Sequence, residues 1–403
     1  MTVPDVLARV LDEDTIADPY PYLSWVRENH PVHQAKSGAY LLTRHADCMA
    51  VQLGGPFRMP DENQLPDMHA KAARHRSVWL LTKTMTMHNP PGHTRLRRLL
   101  SRDFTRRRMD ALRAATEQIC DELLCAVEEP LRDGEVVDLH GALSVPLPVR
   151  VISDLMGFPE QDRTWLFGKV PTVLGAIAPG ASEEVLALAD KENEAIEQYM
   201  IDLLARRSRD PKEDLATAWA LSHAEDADRF THDELISMLW GMLAGGLATT
   251  AAAISNGINH ITRHPGQTHW LRDDAAKFVD ESLRYESPSM VSGVPRYTAE
   301  DVELSGVPIP RGSEVRTMLA PANRDPAVFP DPDRFDPSRD TSKSLTFGHG
   351  IHHCLGFNLA RMELTILLSA LHRRFPDLRL AEAPHWRRSL PVRAIESLPA
   401  TLN

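Results

Sequence analysis

The pattern of apolar and polar positions along the chain predicts mostly helices. Residues 106–127 and 182–207 show helical periodicity, and the stretch from Thr231 to Arg263 is apolar on nearly every face. Thr231 and Glu234 form a capping box at the start of this stretch, and His264-Pro265 ends it. A helix that is apolar all round is expected to cross the core of the protein.

The rest of the chain predicts shorter elements. Helices are expected at 19–29, 273–285 and 354–375, a hairpin at 32–43, short strands within 294–318, and irregular segments at 54–91 and 323–343. A length of 403 residues favours two domains. However, no linker, repeat or charge block divides the chain, so we predict one interleaved domain over residues 1–403, mainly α with a small β region.

Composition narrows the function classes. Lysine and arginine number 45 against 56 acidic residues, a formal charge of -11, which disfavours nucleic acid and anionic membranes as partners. The first 18 residues lack the apolar core of a signal peptide, and no run approaches the ~18 apolar residues needed to span a bilayer. Four scattered cysteines favour a reducing compartment, so a cytoplasmic protein is expected.

One cysteine stands in a distinctive loop. Residues 347–356 place Cys354 after a glycine-bearing loop, at the predicted start of the last helix. Backbone N–H groups of a first helical turn favour a thiolate, which is a nucleophile or a metal ligand. A buried packing cysteine is the alternative that this residue alone leaves open.

The full spacing around Cys354 resembles a known signature. Phe-x-x-Gly-x-His-x-Cys-x-Gly, completed by Ala360, Arg361 and Glu363, is similar to the heme-binding segment of the cytochromes P450. The resemblance implies the P450 fold and heme b, with Cys354 as the axial iron ligand, Phe347 shielding its sulfur and His352 bonding a propionate.

Further motifs support the same resemblance. Glu281 and Arg284 form the Glu-x-x-Arg pair that is buried in the family, and Arg334 is the expected third, structural member. Taken alone, such a pair is more typical of a helix surface. His93 and Arg97, one helical turn apart, resemble the propionate-binding helix, and Arg296 matches a further propionate ligand. A solvated basic face is the alternative for the first two.

Arginines cluster around the same predicted helix, at positions 95, 98, 102, 106, 107 and 108. In the resembled family this region lies near the cysteine face, where an acidic ferredoxin docks. We therefore expect the cluster to steer a redox partner, with a solvated face as the alternative.

Small residues interrupt the long apolar helix at 243–250. Paired glycines there indicate either a ligand groove or close helix packing. The stretch resembles the oxygen-binding segment of the family, which makes Thr249, with Thr250 beside it, the hydroxyl that channels protons to the oxygen. Ala248 departs from the pattern, because the family usually has Asp or Glu there, so the ordinary proton route is in doubt.

Family pocket positions project onto small and apolar residues, with the segment around Trp79 closing over them. For each of these positions core packing is an equal alternative. The projected pocket residues are Thr86, Gly241, Ala244, Val291, Ser292, Val294 and Ile395.

The expected function is a monooxygenase that inserts one atom of O2 into a bulky substrate, expected to belong to secondary metabolism. Its electrons would come from NAD(P)H through ferredoxin and ferredoxin reductase, since nothing in the chain encodes a flavin or iron–sulfur domain. Ala248 keeps open an atypical oxidation, such as oxidative coupling, nitration or a peroxide-driven reaction. Absence of Arg between residues 231 and 262 counts against the peroxide branch. A non-catalytic P450-like helper is a third reading, which the intact Cys354 disfavours.

Overall fold

The fold is mostly helical with small sheets, as a computed structural model shows for residues 5–60, 66–102, 104, 106–176, 181–225 and 231–402. The helices of this part of the chain are α1 Val6–Arg9, α2 Tyr20–Asn29, α3 His45–Leu53, α4 Pro66–Ala72, α5 Arg76–Thr82, α6 Gly92–Ser101, α7 Arg106–Arg132, α8 Pro146–Met156, α9 Arg163–Gly175, α10 Glu183–Arg209, α11 Leu215–Glu225, α12 His232–Arg263, α13 Trp270–Asp273, α14 Ala275–Tyr285, α15 Leu319–Ala322 and α16 Phe357–Arg374. Short 3-10 or π turns occur at Met85–Met87, His140–Ser144, Glu160–Asp162, Pro265–Gln267 and Gly350–His352.

Twelve short strands are formed by the described residues. They are β1 Val32–Gln34, β2 Tyr40–Leu42, β3 Phe57–Arg58, β4 Val137–Asp138, β5 Arg296–Thr298, β6 Val302–Leu304, β7 Val307–Ile309, β8 Glu314–Thr317, β9 Arg379–Leu380, β10 His385–Trp386, β11 Ile395–Ser397 and β12 Pro399–Thr401. The largest sheet has the order β1-β2-β8-β5-β3, in which only β2 and β8 run parallel.

Two compact units make up the chain, each assembled from separate segments. Unit 1 comprises Met1–Met59, Thr116–Leu147 and Ala248–Asn403, and unit 2 comprises Pro60–Ala115 and Pro148–Leu247. All the strands named above belong to unit 1, and the described part of unit 2 is helical. The expectation of a single interleaved domain stays a prediction.

Each unit has its own packed interior. In unit 1, α2 and the first strands pack on residues around Met290 and Met318, and a second cluster joins α3 to β8 and Leu345. In unit 2, Val78 of α5 packs with Leu186 and Ala189 of α10. Burial of these side chains supplies the main stabilising term of both units.

Local sequence signals predicted most helices and strands close to their observed positions. Thr231 and Glu234 bond each other's backbone N–H groups at 2.9 and 3.2 Å, so the capping box is confirmed, and α12 ends at Arg263. Two differences stand out: residues 54–91 contain α4 and α5, and α16 begins at Phe357 rather than at Cys354.

The expectation that no apolar run could span a bilayer is corrected by α12. By length and composition this 32-residue helix could cross a membrane, since its most apolar 18-residue window has a mean hydropathy of 1.5. However, 56% of the most apolar window is buried inside the protein, which is the behaviour of a core helix.

Candidate active site

The cysteine loop of unit 1 is closed by its own backbone. The N–H of Cys354 donates to the carbonyl of Phe347 at 2.8 Å, and the N–H of Gly348 donates to Leu345 at 2.9 Å. Gly350 has a φ of +69°, and a Cβ on it would lie 2.5 Å from the backbone oxygen of Gln52. Only glycine can therefore bring this loop so close to the end of α3.

Accessibility and ring packing define the surroundings of Cys354. Its side chain is half-buried, as are those of Phe347 and His352. The rings of Phe347 and Phe357 lie edge to face, 6.1 Å apart, and His353 packs on Phe357 at 4.7 Å. Because Cys354 precedes α16 by three residues, it lies outside the helix that the sequence pattern assigned to it.

The Glu-x-x-Arg pair is fully buried in unit 1. Both side chains have 0% exposure, and the guanidinium of Arg284 forms two bonds to Glu281, at 2.7 and 2.8 Å. Arg284 also donates to the carbonyl of Asn323 at 2.8 Å. A buried pair whose remaining donors are satisfied in this way is a structural anchor.

Asn323 links the buried Glu281–Arg284 pair to the cysteine loop. Its side-chain oxygen accepts from the N–H of Leu345 at 2.7 Å, and its nitrogen donates to the hydroxyl of Thr346 at 2.9 Å. Thr346 in turn donates to the carbonyl of Leu283 at 2.7 Å. The pair on α14 thus fixes the residues that immediately precede Phe347.

The expectation that Arg334 completes the pair is wrong. Arg334 is 66% exposed and pairs with Asp336. Instead, Arg339 is 9% exposed, and its Nε lies 3.6 Å from Oε1 of Glu281, while its other nitrogens donate to backbone carbonyls. Arg339 lies three residues beyond Asp336 in the sequence. The sequence alone cannot distinguish it from Arg334, because the path of the loop decides which arginine reaches Glu281.

Arg296 is a half-buried cation on β5. Burial alone lowers its pKa from 12.5 to about 10, and no acidic side chain of the described residues pairs with it. A guanidinium that is desolvated without a carboxylate costs free energy unless an anionic ligand binds it. The chemistry of this residue therefore fits a bound carboxylate.

α6 carries the predicted histidine and arginine of unit 2. His93 is buried and Arg97 is half-buried, one turn apart on the helix, as expected. The arginine cluster is less uniform than predicted: Arg95 pairs with Glu234, whereas Arg98 and Arg102 are exposed. The side chains at 106 and 107 lie outside the described residues, and Arg108 is half-buried.

The paired glycines of α12, Gly245 and Gly246, have different surroundings. A Cβ on Gly246 would lie 2.9 Å from the side chain of Ile152 in α8, so this glycine allows close helix packing. A Cβ on Gly241 or Gly245 would meet no atom of the described residues within 4 Å. Close helix packing therefore accounts for Gly246, and the ligand groove at Gly245 stays a prediction.

The following residues of α12 also differ in burial. Ala248 is exposed although it lies in the middle of a 32-residue helix, Thr249 is half-buried and Thr250 is buried. An acid is absent at 248, so the hydroxyl of Thr249 is the first polar side chain that the helix offers after Gly245. The predicted proton-transfer role of Thr249 stays a prediction.

The projected pocket residues fall into two groups. Val291 and Ile395 are 3% and 0% exposed and pack in the core of unit 1, so core packing accounts for both. Thr86 is exposed, and Gly241, Ala244, Ser292 and Val294 are half-buried. Their contact with a substrate stays a prediction.

Sequence reasoning missed a buried acid on α16. Glu363 is 2% exposed, its Oε2 has no partner among the described residues, and burial raises the pKa of its carboxyl from 4.5 to about 8. In the sequence Glu363 is only one residue of the signature, and no sequence signal distinguishes a buried from an exposed glutamate there.

Comparison with known proteins gives a consistent result. Residues 275–380 match the family model described as Cytochrome P450. The chain is 42% identical to Cytochrome P450 BJ-3 of Bradyrhizobium diazoefficiens over 414 residues, covering 99% of this chain and 96% of that protein. It is 37% identical to the Vitamin D(3) 25-hydroxylase of Pseudonocardia autotrophica, covering 96% and 94%. The solved structure of the Bacillus subtilis 168 bacillaene polyketide synthase cytochrome P450 PksS superposes with a TM-score of 0.85 at 30% identity, covering 98% and 99%.

Proposed function

Because the chain belongs to the cytochrome P450 family and is a heme-iron monooxygenase, we propose that it inserts one oxygen atom from O2 into a bulky small molecule of secondary metabolism. Its electrons come from NAD(P)H through a ferredoxin and a ferredoxin reductase, in the cytoplasm. Names of the relatives support the substrate class, since one is a vitamin D(3) hydroxylase and another belongs to a polyketide synthase. The open face of α12 at Gly241 and Gly245 supports a bulky substrate.

The observation that carries this proposal is the cysteine loop, which holds a half-buried thiol between Phe347 and α16. In this assignment the thiolate of Cys354 would hold heme b through its iron. When bound, heme iron supplies the oxygen activation, and a thiolate ligand favours O–O cleavage. Phe347 shields the sulfur from water, and Glu281, Arg284 and Arg339 hold the loop through Asn323.

Cationic side chains bind the propionates in this proposal. Arg296 is the best supported of them, because its desolvated guanidinium has no carboxylate partner among the described residues. His352 lies on the cysteine loop, and His93 and Arg97 are assigned by the family motif on α6. Thr249 holds and passes the proton that the reaction consumes, with Thr250 packed behind it.

The test is a carbon monoxide difference spectrum of the reduced protein. We expect a thiolate-type band in the wild type and its loss in Cys354→Ser, since serine cannot supply the thiolate. Cys125→Ser is the matched control, because Cys125 is exposed and should leave the band intact. A wild type without the band would favour the helper reading, and a band that survives in Cys354→Ser would contradict the assigned ligand.

Substrate class is tested separately, by a spin-state titration of the ferric protein. Bulky polyketides and terpenoids are expected to shift the spectrum, because a substrate that displaces the water on the iron changes its spin state. Small aromatic compounds serve as the comparison. A shift with the small compounds alone would contradict a bulky substrate.

Ala248 favours a second candidate function, an atypical oxidation such as oxidative coupling. Without an acid at 248, protons must come through ordered water, through Thr249 or from the substrate itself. We expect Ala248→Asp to change the fraction of reductant that ends in product. Ala248→Asn is the control, because asparagine has the shape of aspartate without its acid. Ala251→Asp is unsuitable as a control, since it would bury a charge. Equal coupling in all three proteins would show that proton supply is not limited at position 248.

A further inference from the structure

The largest sheet of unit 1 turns one of its two faces toward the cysteine loop. Leu42 of β2 and Val315 of β8 are buried in the same cluster as Leu345, which lies just before that loop. Leu41 and Met318 belong to the other cluster of unit 1. Because successive side chains of a strand alternate between the two faces of a sheet, the face that carries Leu42 and Val315 is the one beside the loop.

Two polar side chains share this face. Arg296 of β5 is the antiparallel register partner of Val315, so their side chains lie on the same face of the sheet. Thr317 follows Val315 by two positions on β8 and therefore lies on this face as well. The next register pair, Tyr297 with Glu314, belongs to the opposite face, where the hydroxyl of Tyr297 donates to the carboxylate of Glu314 at 3.0 Å.

The hydroxyl of Thr317 is buried without a hydrogen-bond partner among the described residues. The residue is 2% exposed, and its Oγ1 bonds no atom of that part of the chain. Thr298 on β5 is also buried, but its hydroxyl donates to the carbonyl of Pro310 at 2.7 Å and accepts the N–H of Ser313 at 3.0 Å. A buried hydroxyl without a partner costs free energy, so Thr317 is suited to a ligand that accepts its hydrogen bond.

Arg296 supplies a positive charge on the same face. Burial lowers the pKa of its guanidinium to about 10, and no acidic side chain of the described residues pairs with it. Residues placed diagonally on antiparallel neighbouring strands lie about 7 to 8 Å apart, within reach of a long side chain. The guanidinium of Arg296 and the hydroxyl of Thr317 can therefore donate to the two oxygens of one carboxylate.

We propose that Thr317 is a second donor to the heme propionate that Arg296 binds, so that β5 and β8 hold one carboxylate between them. This inference rests on the proposed function, which assigns a propionate to Arg296. Thr317 thus binds the cofactor and not the substrate. Its hydroxyl contributes a directional bond, whereas the guanidinium contributes the charge that offsets the buried carboxylate.

The test measures heme release from the ferric holoenzyme, as transfer to apomyoglobin. Thr317→Val has nearly the same shape but lacks the hydroxyl, and we expect it to release heme about tenfold faster, the effect of losing one hydrogen bond to a charged group. Thr317→Ser keeps a hydroxyl and should stay within about twofold of the wild type. Resonance Raman spectra of the same proteins should show the propionate bending band shifted in Thr317→Val and unshifted in Thr317→Ser.

Thr298→Val is the matched control, because it makes the same substitution on the same face of the sheet. The hydroxyl of Thr298 is already bonded within the protein, so its loss should leave heme release and the propionate band close to those of the wild type.

A double variant of Arg296→Leu and Thr317→Val tests whether the two residues bind the same carboxylate. A carboxylate that has lost Arg296 is no longer held beside β8, so the bond to Thr317 is weakened as well. Heme release should therefore stay well below the product of two independent tenfold effects, about a hundredfold. A full hundredfold effect would show that the residues act on different groups and would overturn the proposal.

The remaining outcomes separate Thr317 from the proposed function. Heme release from Thr317→Val at the wild-type rate would overturn the role of Thr317 and leave the heme assignment intact. Equal acceleration in Thr298→Val would also overturn it, because weakening of the sheet would then explain the loss of heme. A wild-type protein that binds no heme would instead contradict the proposed function itself.

Discussion

The burial of the Arg296 guanidinium favours the binding of an anionic group of the cofactor. This guanidinium is desolvated and has no acidic partner in the part of the chain that the structure describes, so an anionic cofactor group would relieve the free-energy cost of burying this charge. We expect Arg296→Leu to release heme about tenfold faster, measured by transfer to apomyoglobin, the effect of losing a hydrogen bond to a charged group. The free energy of unfolding of the apoprotein should not fall.

Arg311→Leu is the comparison for this change. Arg311 is exposed and its removal alters the net charge equally. Equal heme release from both variants would show that Arg296 binds no propionate, and a destabilised Arg296→Leu apoprotein would indicate a packing role instead.

Glu363 predicts a pH dependence of stability. Burial raises the pKa of its carboxyl to about 8 in the folded state, against 4.5 for the ordinary group. The folded protein therefore holds a proton that the unfolded chain loses above pH 4.5, so the contribution is favourable at low pH and is lost as the pH rises through about 8. Glu363→Gln should have a higher Tm than the wild type at pH 8 to 9, with the difference shrinking toward pH 5.

Thermal unfolding across that pH range, followed by circular dichroism, makes the measurement. Glu194→Gln again serves as the control, since an exposed glutamate should shift Tm little at any pH. A Glu363→Gln protein whose Tm follows the wild type at every pH would mean that the carboxyl is ionised and paired.

At the scale of the element, the cysteine loop depends on how closely its backbone approaches α3. Gly348 and Gly350 share a φ of +69°, so alanine at either position carries the same conformational strain. Only at Gly350 would the new Cβ lie 2.5 Å from a backbone oxygen, whereas at Gly348 the nearest atom is 3.8 Å away. We expect Gly350→Ala to lose most of its heme on purification and Gly348→Ala to retain a clear excess.

Heme content per chain, from the pyridine hemochrome assay, measures this difference. Circular dichroism of both variants checks that the helices persist. The explanation fails if the two variants retain equal heme, because the strain would then dominate and the contact with Gln52 would be unimportant.

The paired glycines of α12 show how single residues decide the packing of a whole helix. The sequence left the paired glycines open between a groove and close packing, and the structure assigns Gly246 to packing on Ile152 and Gly245 to an open face. Helical rotation of about 100° per residue explains why neighbours differ in this way. The sequence contained the pair but not the direction in which each residue points.

At the scale of the whole molecule, charge should control electron delivery. The chain has a formal charge of -11, yet Arg98 and Arg102 are exposed near the end of α6. With a ferredoxin and its reductase, we expect the first electron transfer to slow about three- to tenfold from low to physiological salt. NAD(P)H alone should not reduce the protein.

Arg98→Gln with Arg102→Gln should flatten this salt dependence, measured as the rate of carbon monoxide complex formation under anaerobic conditions. Arg209→Gln, an exposed change in the same unit, should keep it. A salt dependence unchanged in the double variant would place the docking surface elsewhere.

Much of the helical framework followed from the sequence alone because its signals are local. The capping box of Thr231 and Glu234, the proline after His264 and the strand alternation of 294–318 each act within a few residues. The spacing around Cys354 likewise predicts the loop and a heme ligand from residues that are close together in the chain. Local patterns did not reveal α4 and α5, whose few residues depend on contacts with α10.

Tertiary structure decided which distant residues meet. Arg339 rather than Arg334 approaches Glu281, and His75 bonds Asp190, which lies more than a hundred residues away in the sequence. Such pairings depend on the path of the intervening chain and on which side chains become buried, and neither is encoded in periodicity or spacing. The sequence by itself predicted the chemistry at Cys354, whereas only the folded chain determined which residues hold that loop and which acid of α16 is buried.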